Sequence, residues 1–307
     1  MWLLCWTQVW PLLGLSFFVE RSAKLSTDYI KQTDTLKRIF DRQIVFIVGA
    51  TRWGTAWVQQ CADAHPNICA KGEGHFTDLL FPNVAKTLNE YNTESAKVGN
   101  RLQVAGLPGT AAGLTFPDVD YLLHSAMGLM FARWVGDNDN IKCIMEKTPE
   151  HIMSLDVLAR IVPDMKVVHV IRDGRDEAVS AWDFNLGLSR REFPQKFPKF
   201  SDFGSVFADN WSRSVVAARD FRRPNPDRFH QIRCEDLIEN PKQEVKSLFQ
   251  FLGVDERIAT VRPCVDQAWD IIPLDVEPGY WKTVFDDDAE FIFKMKCGEM
   301  LKLLGYE

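Results

Sequence analysis

The hydrophobic pattern alternates short buried runs with amphipathic stretches. Val45-Phe-Ile-Val48, Ile141-Lys-Cys-Ile-Met145, Lys166-Val-Val-His-Val-Ile171 and Phe229-His-Gln-Ile-Arg233 are too short for helices and rich in β-branched or aromatic residues. They predict strands covered on both faces. Ile68 to Phe76 predicts a further short strand that ends in a glycine-flanked turn. Helices are predicted from Ser26 to Phe40 behind a Ser-Thr-Asp cap, from Ala56 to about Ala64, and from Asp118 to Val135. Others follow from Pro149 to Ile161, Glu177 to Phe184, Val206 to Arg222, Pro241 to Leu252 with Gly253 as its stop, and Asp288 to Leu304. Asn83 to Gly113 is polar with weak periodicity and predicts helix fragments and a loop, while Leu186 to Phe203 predicts an irregular segment. Strand and helix in alternation at this spacing predict βαβ units, so the fold class is α/β.

Composition narrows the picture. With 307 residues, 46% of them hydrophobic, the chain can bury one large α/β core with an extension. The boundaries read as an apolar N-terminal segment and leading helix over 1–43, then one domain over 44–307. A net charge of −6 argues against nucleic acid as a partner. Seven cysteines (5, 61, 69, 143, 234, 264 and 297) form no C-x-x-C pair, and several lie in apolar runs, which predicts buried free thiols and no metal site. Residues 1–18 are apolar except for Thr7, Gln8 and Ser16. That length is at the short end for a membrane span and has no basic flank before it. Membrane contact through 1–18 and docking on the domain both stay open, as do a cytoplasmic and a membrane-associated location. Nothing sets the oligomeric state.

Three stretches carry chemistry. In Val45-Phe-Ile-Val-Gly49-Ala-Thr51-Arg52-Trp53-Gly54-Thr55-Ala56-Trp57 a strand, a tight turn and a helix start follow one another. Such a turn aims backbone N–H groups and a helix N-terminus at one point, which suits a phosphate. Gly49 and Gly54 have the spacing of the nucleotide loop G-x-x-x-x-G-K-[ST], but Thr55 stands at the lysine position and the cation is Arg52. In the second stretch, Val167 to Ser180, Arg172 falls at the carboxyl end of a strand, where open α/β sheets bind ligands, and Ser180 lies one to two turns into the next helix. The third is Met145-Glu-Lys147-Thr-Pro-Glu-His151, just past a strand end.

These motifs resemble those of the sulfotransferase family in order, over about residues 44 to 307. The first resembles the 5′-phosphosulfate loop P-[KR]-S-G-T-T, and the second the 3′-phosphate segment [IV]-x-R-[DN]-x-R-D-x-x-x-S. Arg233-Cys-Glu235-Asp236-Leu237 with Asn240-Pro241 and Phe249-Gln-Phe-Leu252-Gly253 resembles the family's Y-E-D-L-x-x-N-P…F-L-G stretch, and Gly279-Tyr-Trp281-Lys282 its G-x-W-K turn. The resemblance implies a P-loop-like parallel sheet flanked by helices. It also implies sulfuryl transfer from 3′-phosphoadenylyl sulfate (PAPS) to a hydroxyl acceptor (carbohydrate, lipid or small molecule), leaving adenosine 3′,5′-bisphosphate (PAP) and using no metal. The implied donor contacts are Thr51, Arg52, Trp53, Gly54, Thr55, Ala56, Trp57, Arg172 and Ser180, with Arg52 and Lys147 at the reacting oxygens.

Cytosolic members carry their base as the His of K-T-H, and here Pro149 stands in that place. Glu146-Lys147-Thr148-Pro149 instead resembles the heparan sulfate 3-O-sulfotransferases and related bacterial enzymes, whose base is a Glu in a K-E-x-H-F-F-like segment. The matching text, Lys71-Gly-Glu73-Gly-His75-Phe76, implies Glu73 as base with His75 second. His124, His151 and His169 read as structural. Trp53 and Ala56 depart from the loop pattern, and the Arg-Lys-Gly that precedes the G-x-W-K turn in cytosolic members is absent. Two other readings stay open: a nucleotide-dependent kinase, which lacks its Gly-Lys-Ser/Thr and a magnesium-binding Asp, and a catalytically inactive nucleotide-binding module. Leu186 to Phe203, rich in Arg, Lys, Phe and Pro, is a candidate acceptor lid.

Overall fold

A computed structural model describes residues 22–49, 54–109, 113–271 and 277–306, with side chains from Asp28 onward. Thr51, Arg52 and Trp53, and the apolar residues 1–18, lie outside the described residues. The strands are β1 (Gln43–Gly49), β2 (Ile68–Gly72), β3 (Cys143–Lys147), β4 (Lys166–Ile171) and β5 (Phe229–Arg233), and they form one sheet in the order β2-β3-β1-β4-β5. Every pairing is parallel, with Ile47 opposite Lys147 and Gly49 opposite Val170.

Ile44 to Val48 are all buried, because helices cover both faces. One face packs beneath α2 (Gly54–Asp63), α10 (Pro241–Leu252) and α11 (Ile258–Ile271) through Trp57, Val245, Leu248 and Val261. The other lies beneath α1 (Ser22–Phe40), α4 (Phe116–Val135), α5 (Leu155–Ile161) and α8 (Phe200–Arg222) through Ile39, Leu123, Met127, Leu158 and Phe221. A smaller cluster joins α6 (Gly174–Leu188) and α8 to the closing helix α12 (Asp287–Leu303).

The α/β class and the parallel sheet agree with the sequence expectation, and the bounds of β4, β5 and α10 match it residue for residue. Where the sequence predicted fragments from Asn83 on, a single helix, α3, runs from Phe81 to Val104. Its periodicity is weak because Val84 and Leu88 form only a narrow stripe against the core, while Tyr91, Val98 and Val104 face water. The expected helix from Pro149 is a 3-10 turn, Pro149–Ser154, followed by α5. The segment expected to be irregular holds α7 (Glu192–Lys196) and the first turn of α8. Trp182 meets Phe193, Phe200 and Phe203 there at ring separations of 5.2 to 5.6 Å, so aromatic packing orders a run that no period announces. A short helix, α9 (Cys234–Glu239), and α11 stand where the sequence suggested none. The six described cysteines are buried and free, as their apolar surroundings predicted. Among the described residues no helix is long and apolar enough to cross a membrane.

Candidate active site

A parallel sheet presents all its carboxyl ends along one edge. Gly72 and Lys147 end neighbouring strands there, Gly49 ends β1, and Arg172 follows β4 directly. Gly49 has φ +111, and a Cβ on it would run into the carbonyl of Val170, so only glycine fits. A Cβ on Gly54 would lie 2.5 Å from both Val170 Cγ1 and Cys234 Sγ. The N-terminus of α2 therefore presses against the end of β4, two residues before Arg172. Alanine normally outranks glycine in a helix by about 1 kcal/mol, but the clash reverses the sign here. Gly54→Ala is expected to cost about 1–3 kcal/mol, read as a lowered midpoint in thermal unfolding.

Thr55 is buried and Ala56 half-buried at this helix start. The expectation for Trp57 needs correction. Its indole is fully buried in the core, 5.8 Å from Trp269 in an edge-to-face pair, so only its backbone can serve a ligand.

At the β2–β3 end the structure joins the residues expected for chemistry. Lys147 Nζ donates to Glu73 Oε1, while His75 Nε2 lies 3.2 Å from Glu73 Oε2. His75 Nδ1 in turn donates to Asp78 Oδ2 at 2.7 Å. Lys147 is largely buried and Glu73 half-exposed, so the carboxylate meets solvent between an ammonium and an imidazole ring. The hydrogen bond that His75 donates to Asp78 holds the imidazole pKa above its ordinary value. The imidazolium is thus favoured in the folded chain, and that stabilisation fades as the pH rises through the raised value. His75 holds this position with φ 47 and ψ 43, a conformation few side chains adopt.

Asp78 carried no signal in the sequence, since it is recognisable only through His75. His151 is structural, as expected: it is fully buried and lies edge-on to Phe46. His124 stacks on Phe40 at 3.6 Å, and His169 is buried in β4 with its pKa pushed down to about 4 by desolvation.

The third piece surrounds the start of α6. Arg172 is 4% exposed, and its Nη1 is buried with no partner among the described residues. Its neighbours are committed elsewhere. Asp173 caps α6 and pairs with Arg175 through both oxygens, at 2.9 and 2.7 Å. Arg175 also donates to the carbonyl of Tyr306 and stacks on Trp281. Asp176, buried, accepts the N–H groups of Gly279 at 2.7 Å and Trp281 at 2.8 Å. Glu235 accepts from the Asp173 N–H at 2.9 Å and faces the Tyr306 hydroxyl at 3.1 Å. The R-D-G-R-D run is therefore a set of braces around Arg172. A buried guanidinium N–H without a partner is costly, and an anionic group such as a phosphate would relieve it. Ser180 lies half-buried farther along α6. A cavity of about 490 Å³ lies beside these strand ends, lined by Gly49, Pro149, His169, Glu177, Phe207 and Trp211 among others.

Residues 44–257 match the model of the Sulfotransferase family. Protein-tyrosine sulfotransferase 1 of Danio rerio is 25% identical over 248 residues, covering 80% of this chain and 61% of that protein. The omega-hydroxy-beta-dihydromenaquinone-9 sulfotransferase Stf3 of Mycobacterium tuberculosis is 29% identical over 119 residues, 38% of this chain and 30% of that one. The chain thus spans about three fifths of the zebrafish relative and less of the mycobacterial one. Among solved structures, sulfotransferase STF9 from Mycobacterium avium superposes with a TM-score of 0.53 at 15% identity, covering 90% of this chain and 80% of that one, which shows a shared fold. These matches lend the kinase reading no support. With a family model matching well over half of its length, the chain belongs to the sulfotransferase family.

Proposed function

We propose that this protein transfers a sulfuryl group from PAPS to a hydroxyl acceptor. The observation that carries the reading is a half-exposed carboxylate, Glu73, held between Lys147 and His75 on the sheet edge that also carries Arg172, whose buried Nη1 has no partner among the described residues. Two anion-binding features and a base on one edge suit a donor with a phosphate at each end of its ribose. When bound, the donor supplies an activated sulfuryl group on a phosphate leaving group.

The chain's own residues then have separable tasks. Arg172 and Ser180 hold the 3′-phosphate, and the first amides of α2 at Gly54, Thr55 and Ala56 serve the 5′ end, a task the loop motif also gives Thr51, Arg52 and Trp53. Trp57 contributes through its backbone. Glu73 accepts the proton of the acceptor hydroxyl, and His75, fixed by Asp78, orients that carboxylate. Lys147 Nζ supplies positive charge where the sulfuryl oxygens and the bridging oxygen gather negative charge. Residues 1–18 offer an apolar segment for membrane contact, and a carbohydrate is one acceptor class that the E-K-T-P text suggests.

Titration with PAP and with ATP tests the donor: PAP is expected to bind at least about tenfold more tightly, a difference of about 1.4 kcal/mol. Labelled sulfate transfer from PAPS to a panel of phenols, sugars and long-chain alcohols tests the reaction. Phosphate transfer from ATP would favour a kinase, and tight PAP binding with no transfer to any acceptor would favour the inactive module.

A further inference from the structure

We infer that Glu146, Thr148 and His151 are positioning residues for Glu73, acting through the backbone of the turn that carries it; the inference rests on Glu73 being the base. The turn from Gly74 to Thr77 leads into α3 by way of one π-helical turn, Phe76–Leu80. The first N–H groups of such a start have no partner within the helix. Here the partners come from the end of β3 and the turn that follows it. The Gly74 N–H donates to Glu146 Oε1 at 2.7 Å, and the His75 N–H to Thr148 Oγ1 at 3.4 Å. The N–H groups of Phe76 and Thr77 both point at His151 Nε2, at 3.0 and 3.3 Å.

Two amides facing Nε2 make that nitrogen an acceptor, so the ring proton sits on Nδ1 and is donated to Glu146 Oε2 at 3.1 Å. Thr148 Oγ1 donates to Glu146 Oε1 at 2.5 Å. Each donor of the set meets an acceptor, and Glu146 and His151 are fully buried. Consecutive strand residues point to opposite faces. Glu146 can therefore hold the turn from one side while Lys147, the next residue, reaches the Glu73 side chain from the other. The Glu73 carboxylate is thus set by three side chains whose hydrogen bonds go to the backbone of the turn that follows it. A base must sit within a fraction of an ångström of its proton, and a displacement of about 1 Å can cost about 10²-fold in rate.

Glu146→Gln keeps the shape but turns an amide N–H₂ toward a donor. Either His151 loses its bond to Glu146 or its ring proton moves to Nε2 and opposes the amides of Phe76 and Thr77. On the full chain, three quantities are read: amide exchange of the peptide covering 72–80, PAP affinity, and transfer of labelled sulfate from PAPS to p-nitrophenol or water. Glu146→Gln is expected to speed exchange at Gly74 to Thr77 at least about tenfold and lower kcat by about 10²-fold, with PAP affinity within about twofold of wild type. Thr148→Val repeats the effect more weakly, and Thr148→Ser, which keeps the hydroxyl, restores slow exchange. The Thr148 pair decides the matter if Glu146→Gln fails to fold.

Wild-type kcat in Glu146→Gln and Thr148→Val beside an inactive Glu73→Gln overturns this inference alone. So does a loss of PAP affinity in step with kcat, which marks a purely structural role. A Glu73→Gln variant that turns over normally, or wild type that transfers to neither probe, overturns the base assignment first.

Discussion

Glu73→Gln is expected to lower kcat for sulfuryl transfer by about 10²–10⁴-fold, the usual contribution of a positioned general base. PAP affinity should change by less than about threefold, because the side chain lies at the β2–β3 end while Arg172 follows β4. Glutamine is the discriminating replacement. It fills the same space and offers Lys147 Nζ an acceptor oxygen, so the turn keeps its packing, yet it cannot take a proton. Its amide nitrogen would face His75 Nε2 in place of the second carboxylate oxygen, which costs the contact now at 3.2 Å but no buried charge. Rapid-quench measurement of a single turnover with a saturating acceptor separates loss of chemistry from loss of binding. A variant that retains its chemical rate would move the base to His75, which shares the site.

Arg172→Ala is expected to weaken PAP binding by about 10²-fold or more. Hydrogen bonds to charged groups contribute about 1.5–3 kcal/mol each, and about 1.4 kcal/mol is a factor of ten. The sign in the free protein is the more telling result. Removing one partner of a buried ion pair usually destabilises a fold severely, but Arg172 Nη1 has no partner to strand among the described residues. The unliganded Tm should therefore hardly fall, while the stabilisation that PAP gives the wild type is lost. Calorimetric titration and thermal melts with and without PAP give both quantities. Arg172→Lys should not restore affinity, since an ammonium cannot present the planar fork of a guanidinium. A steep fall in the unliganded Tm would assign Arg172 to the fold in place of a ligand.

What could be read from the sequence divides along physical lines. Strands such as Lys166–Ile171 advertise themselves because burial on both faces demands a nearly continuous apolar run, here broken only by His169 after the opening lysine. Motif resemblance brought Glu73 and Lys147 together although they stand 74 positions apart, which neither propensity nor period could have done. What escaped notice works through the backbone. Asp176 was visible as a charge in a loop, but its partners are the N–H groups of Gly279 and Trp281, more than a hundred residues away, and main-chain donors leave no trace in a sequence. Glu146 escaped for the same reason, and Asp78 because only the folded turn brings it to the His75 ring. Trp57 misled in the opposite direction, since its place beside the loop glycines suggested a ligand contact while its bulk demanded the core. The length of α3 was hidden by a mostly wet surface.

The far end of the chain is fastened to the start of α6. The Tyr306 carbonyl accepts from Arg175, its hydroxyl meets Glu235, and Leu304 receives Arg233 through its own carbonyl. Strain applied to the tail is therefore transmitted to the residue beside Arg172 without crossing the sheet. Tail and helix start are thus bonded into one unit, so a fusion partner attached behind Tyr306 would load the residues that flank Arg172.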